Sequence, residues 1–198
     1  MTECNDHVDG VNGASNAFAS ALWALDYMHW WAAHGCSGVN FHNKQWIYTD
    51  TIFRDASGNY QIHPKAYGRK AFDLGSHGNV ELLKITNPNG LNLTAYAVGD
   101  ATNLYVTIIN KEHGAGARAA VVNIVSGSLI PQNAALMFLT APNSDAGAMN
   151  GITLGGATIT NNAPWFGKWT ALSISANNQC EVTVPATSAA VVKISIRH

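Results

Sequence analysis

The chain has 198 residues, 47% hydrophobic and 12% charged, which is enough apolar material for a well-buried fold and argues against disorder. A formal net charge of −1 supplies neither the basic stripe of a nucleic-acid binder nor a polybasic membrane surface, so neither partner is expected. The three cysteines, Cys4, Cys36 and Cys180, are far apart and no His pair stands at ligand spacing, so no disulfide framework, metal or cofactor is expected.

The chain opens on Thr2-Glu3-Cys4-Asn5, followed by an Asx- and Gly-rich loop to Gly13 and then by a helical pattern. A carboxylate at a strand end ahead of a loop and helix is how a (β/α)8 barrel presents a catalytic group at its C-terminal face. Because that strand has nothing before it, residue 1 is expected to be a truncation point, with an N-terminal barrel segment missing. No apolar run is long enough to cross a membrane, and Met1 does not begin a leader sequence.

Residues 15–34 carry Phe18, Leu22, Leu25 and Met28 at helical spacing, with Ser15 as N-cap and Gly35 beyond the end. Trp23, Trp30 and Trp31 on this helix are expected to be core. The run to His42 alternates Val39 and Phe41 with Asn40 and His42, as a last barrel strand would. Residues 44–63 read as a long aromatic loop of functional type, and Pro64 opens a second helix to about residue 74. The helix 15–34 is expected to leave its apolar stripe uncovered, since the barrel strands that would bury it are missing.

After residue 78 the texture changes. Val-, Ile- and Thr-rich pieces at 80–86, 91–98, 104–110, 120–124, 135–139, 156–159, 171–174, 182–184 and 190–196 alternate with turn residues, the pattern of an antiparallel β-sandwich. Six of the eight histidines and four of the six tryptophans precede this boundary, so the chemistry is expected there. The fold expected is mainly β with two N-terminal helices: residues 1–78 as the last two βα units of a (β/α)8 barrel and 79–198 as a sandwich domain. Trp165, Phe166 and Trp169 are read as filling between the sheets.

The stretches Thr2-Glu-Cys-Asn5, Gly13-Ala-Ser-Asn-Ala-Phe-Ala-Ser-Ala-Leu-Trp-Ala-Leu-Asp26, Gly38-Val-Asn-Phe-His42, and Tyr67-Gly68 with Ala71-Phe72 resemble, in that order, glycoside hydrolase family 79, which contains microbial β-glucuronidases and heparanase. The resemblance implies that Glu3 is the nucleophile of a retaining mechanism, in which a second carboxyl about 5 to 5.5 Å away protonates the leaving oxygen. The family's acid/base glutamate follows an asparagine well upstream, and Glu81, Glu112 and Glu181 do not fit that motif, so the chain alone is expected to be inactive. Asp6 and Asp9 read as solvated or capping groups.

The same resemblance assigns Asn5, Val8, Asp9, Gly10 and His42 to the substrate pocket, with a β-glycoside or other glycan as ligand. Where glucuronate-binding members carry a tyrosine and then glycines, this chain has Val8, Asp9 and Gly10, a departure that weighs against glucuronide specificity and leaves a neutral β-glycoside open. Secreted or periplasmic residence is what the family implies. A non-catalytic carbohydrate-binding or scaffolding sandwich is the competing expectation.

Overall fold

In the computed structural model, residues 3–7, 10–43, 48–161 and 163–197 are described. The elements in chain order are α1 (Phe18–Ala33), β1 (Ile52–Arg54), β2 (Tyr60–Ile62), α2 (Lys65–Gly75), β3 (Asn79–Glu81), β4 (Leu93–Gly99), β5 (Asn103–Asn110), β6 (Ala120–Val125), β7 (Ile130–Thr140), β8 (Thr153–Leu154), β9 (Thr170–Leu172), β10 (Gln179–Val184) and β11 (Ser188–Arg197). Seven strands form one sheet in the order β3-β4-β5-β11-β7-β8, with β9 also on β7, while β6 and β10 form a separate two-stranded sheet. The chain is therefore mainly β with two helices, and every paired strand is antiparallel.

The period-2 geometry of β11 separates two cores. Ala190, Val192 and Ile194 face β6 and β10, where they meet Ile124, Val182 and Val184. Ala189 and Val191, with Ile109, Met137 and Leu139 of neighbouring strands, face Phe18, Leu22 and Leu25 of α1 and Tyr67 and Ala71 of α2. Each Val, Leu, Ile, Phe or Met among them is worth about 1.5–3 kcal/mol relative to exposure. The large sheet is thus covered by a small sheet on one face and by both helices on the other.

This arrangement corrects the expectation that α1 lacks a cover: its apolar stripe is closed by the sheet and by α2. The helices approach so tightly that a Cβ at Gly68 would lie 2.1 Å from the Ala21 carbonyl oxygen, so only glycine fits there. Asp26 of α1 accepts from Thr94 Oγ1 at 2.6 Å and Tyr96 OH at 2.8 Å, and pairs with Lys111 Nζ at 3.0 Å, pinning the helix to β4 and the end of β5.

The N-terminus of α1 also differs from its sequence signature. Ser15 is not the cap; it accepts from the Val11 N–H, and the helix begins at Phe18. The Phe18 and Ala19 N–H groups instead donate to the carbonyls of Ala148 and Ala146, both at 2.8 Å, so a distant loop satisfies orphan donors of the first turn.

Other departures have local causes. Residues 44–63 contain the hairpin β1–β2, whose turn is organised by Asp55 accepting from the Ser57 and Asn59 amides. Trp46 lies outside the described residues. The expected strand 80–86 shortens to β3 at the sheet edge, and Leu82, at 102% relative exposure, lies beyond it. The expected strand 156–159 is a turn: Gly155 and Gly156 take φ of 60° and 74°, closing the Leu154–Ala157 contact, and β8 precedes it. Trp165 and Trp169 pack on the helix side of the large sheet rather than between sheets, and Phe166 is exposed. Trp30 is also exposed, stacked on His34 at 3.8 Å.

His29 of α1 is 2% exposed and its Nε2 has no partner. Its ring lies against Tyr96 at 5.1 Å and Phe72 at 4.7 Å. Burial pushes its pKa from 6.5 down to about 4, outweighing the nearby Asp26 charge. Because the folded value is below the unfolded one, the unfolded chain binds the extra proton between these values. Stability is full above pH 6.5 and falls by up to about 3 kcal/mol as pH drops to 4. In a His29→Phe variant the slope of unfolding free energy against pH over this window should flatten; an unchanged slope would assign acid sensitivity elsewhere.

Candidate functional site

Cys4 and Phe41 form a single parallel β-bridge, with Cys4 N–H donating to Asn40 O at 3.0 Å and His42 N–H to Cys4 O at 3.2 Å. Two short extended segments therefore run side by side, connected through α1. Their ends carry the first and last of the residues singled out from the sequence. Glu3 Oε1 lies 2.7 Å from His42 Nδ1, and the pair is open to solvent, with side-chain exposures of 69% and 44%. Asn5 Nδ2 donates to His42 O at 2.9 Å.

Beneath this pair sits a buried polar cluster. Lys65, the first residue of α2, is fully buried, and its ammonium is within 3.0 Å of Asn5 Oδ1, 3.1 Å of Asp6 Oδ1 and 2.6 Å of both Thr49 O and Thr49 Oγ1. Ser20 Oγ donates to the other Asp6 oxygen at 2.6 Å, and Thr49 Oγ1 to the first. Trp23 and Phe41 flank the ammonium, at 5.6 and 5.9 Å from their ring centres.

Asp6 is thus a buried ion-pair partner, which corrects its reading as a solvated or capping group. Burial alone would raise its carboxyl, but the Ser20 and Thr49 hydroxyls and the Lys65 charge hold it below the ordinary value. Burial pulls the Lys65 ammonium below the usual lysine range, against the attraction of Asp6. The weak signal for this lysine was its place directly after Pro64 at a helix start, where a cation faces the positive end of the dipole.

Gly10 has φ of +76° and runs against the Tyr48–Thr49 backbone; a Cβ there would lie 2.7 Å from Thr49 N. Val8 and Asp9 lie outside the described residues. Glu3, Asn5 and His42 are therefore brought together, while Gly10 lines the adjoining loop. Asn43 continues the arrangement by receiving the Thr51 N–H at 3.0 Å and donating to Ile52 O at 3.3 Å, which ties the β1–β2 hairpin to the His42 strand end. Elsewhere Glu112 is committed to Arg118, whose Nε and a terminal nitrogen each donate at 3.0 Å; that contact, with the Asn92 amide, holds its pKa at about 2. Among the described residues no three metal-ligating side chains converge, and no helix is long and apolar enough to cross a membrane.

An antiparallel sandwich with two helices on its outer face is the fold of a glycoside hydrolase-related domain. Residues 95–191, just under half of the chain, match the family described as glycosyl hydrolase family 79 C-terminal beta domain. A comparison with curated protein sequences gives no match. Among solved structures, a 4-O-α-L-rhamnosyl-β-D-glucuronidase from Fusarium oxysporum 12S is similar over 96% of this chain and 42% of its own, with a TM-score of 0.74 and 18% identity. A family 51 arabinofuranosidase from Xanthomonas axonopodis pv. citri is similar over 98% of this chain and 40% of its own, with a TM-score of 0.68 and 13% identity. The family 30 xylanase C catalytic domain from Talaromyces cellulolyticus matches 100% of this chain and 40% of its own, with a TM-score of 0.62 and 12% identity. The chain thus spans less than half the length of the structures it resembles, and these likenesses concern the fold.

Removing one partner of the buried pair strands the other charge. Asp6→Ala should cost about 3–5 kcal/mol in denaturant unfolding at neutral pH. The folded Asp6 carboxyl titrates below the ordinary 3.8, so its stabilisation is present above that value and is lost as pH falls through the folded value. An Asp6→Asn variant should therefore lack this part of the acid loss below about pH 4; an acid limb identical to the parent's would show that the pair does not set it.

Proposed function

We propose that the chain is the C-terminal part of a retaining β-glycosidase. In this reading residues 1–78 are the last two βα units of a (β/α)8 barrel, residues 79–198 the attached sandwich domain, and Glu3 the nucleophile. The observation that carries it is the parallel Cys4–Phe41 bridge with α1 between its strands. Strand, helix and adjacent parallel strand make the crossover unit from which such barrels are built. Glu3 and His42 meet beside that bridge, in contact at 2.7 Å and open to solvent. The family of the sandwich and the glycosidase structures that share this fold support the same reading.

Glu3 attacks the anomeric carbon to form a glycosyl-enzyme, and an acid/base carboxyl from the missing N-terminal barrel segment protonates the leaving oxygen and then activates water. The isolated chain, carrying one of the two carboxyl groups, is inactive. His42 orients Glu3 by its Nδ1 contact, and Asn5, Val8, Asp9 and Gly10 contribute to the sugar pocket. An aspartate at position 9 repels a uronate, so a neutral β-glycoside is the substrate favoured. The parent enzyme is secreted or periplasmic, as the family implies.

A second reading, a non-catalytic carbohydrate-binding or scaffolding module, is favoured by the closure of the α1 stripe against this chain's own sheet. One experiment separates them: supply the upstream polypeptide and assay a panel of aryl β-glycosides, with the unextended chain titrated against oligosaccharides in parallel. The glycosidase reading expects activity on restoration and a loss on the order of 10⁴-fold in kcat for Glu3→Gln. Activity that survives this substitution would remove Glu3 as nucleophile, and glycan binding without any restored activity would favour the module.

A further inference from the structure

We propose that Lys65 is a positioning residue for the Glu3–His42 pair and acts through Asn5. This rests on the reading of Glu3 as the attacking group.

Lys65 is placed against two general preferences. It is a fully buried cation, and it occupies the first position of α2, where the helix dipole disfavours positive charge. A residue that breaks local rules in this way marks a site where geometry is being held. Its ammonium has donors only, so the Asn5 side chain must turn its Oδ1 toward Lys65, at 3.0 Å. That choice fixes the other end of the amide: Nδ2 faces His42 and donates to its carbonyl at 2.9 Å. With Asn5 free to flip, an oxygen would face an oxygen and the clamp would be lost.

The clamp matters because it fixes the His42 backbone directly beside the ring that meets Glu3. The strands around Glu3 share one parallel bridge, and both Glu3 and His42 project into solvent. An attacking carboxylate needs its geometry fixed to a fraction of an ångström. The route runs from the buried ammonium to Asn5, from Asn5 to the His42 backbone, and from the His42 ring to Glu3 Oε1 at 2.7 Å. Asp6 and Thr49 complete the ammonium's shell and keep it from reorienting.

The test reads the pair directly, in the 198-residue chain and without any activity. Since an ionised carboxylate carries no proton, His42 must hold one on Nδ1 to make the contact. Nitrogen-15 spectra of the imidazoles, with His42 assigned by His42→Asn, should show an Nδ1-protonated His42 in the parent. Glu3→Gln and His34, whose Nδ1 contacts Trp30 O at the far end of α1, serve as the pair and fold references. Asn5→Ala, which leaves the Lys65–Asp6 pair in place, and Lys65→Met should both abolish the His42 signature while the His34 signal persists. Should Lys65→Met fail to fold, Asn5→Ala decides. A folded Lys65→Met or Asn5→Ala protein that keeps the signature, or a parent that lacks it, overturns the proposal. Failure of the nucleophile reading is separate, since it appears as Glu3→Gln activity in the restored enzyme.

Discussion

The burial of β11 on both faces is the constraint from which the rest of this architecture follows. Residues 188–192 are all buried, so the strand has no solvent side, and each of its faces requires its own cover. One cover is the β6–β10 pair and the other is the helix pair α1–α2. Neither cover is optional, because uncovering one face of the central strand exposes Ala190, Val192 and Ile194 and uncovering the other exposes Ala189 and Val191. The helical segment is therefore integral to the sandwich core, even though its sequence texture differs from that of the strands.

Against this apolar frame the candidate site is held by polar contacts. The Glu3 end of the chain meets the body at one parallel bridge and at the Lys65 cluster, in which Asn5 with Asp6, Ser20 and Thr49 come from three separate segments. A buried ion pair of this kind adds little net stability relative to apolar filling, while loss of one partner is strongly destabilising. The division suits a reactive group at the rim of a rigid body: packing supplies rigidity and directed hydrogen bonds supply aim.

Much of the strand-rich half was legible because alternation and turn chemistry agree there. The strands β4, β5, β6, β7, β10 and β11 fall where apolar residues recur between Asn-, Gly- and Pro-containing breaks. Short elements were less legible. The hairpin β1–β2 has three-residue strands, too brief for periodicity to register. The stripe on α1 announced that something must cover it but not what, since a helix face specifies apolarity and area, not the identity of its partner. At the candidate site Glu3, Asn5 and His42, the first two in contact with the third, were singled out through motif order. Lys65 was not, because a lysine on a helix is ordinarily a surface residue, and its burial depends on acceptors contributed from about 16 and 60 positions away.

The donors at the start of α1 are satisfied by carbonyls of residues 146 and 148. During synthesis the helix therefore leaves the ribosome well before its capping loop exists, by on the order of ten seconds at ordinary elongation rates. Its apolar face and its unfinished first turn wait through that interval for strands made later. Such a chain invites attention from chaperones that hold nascent hydrophobic helices, and premature termination anywhere before β11 leaves a product that cannot close either core.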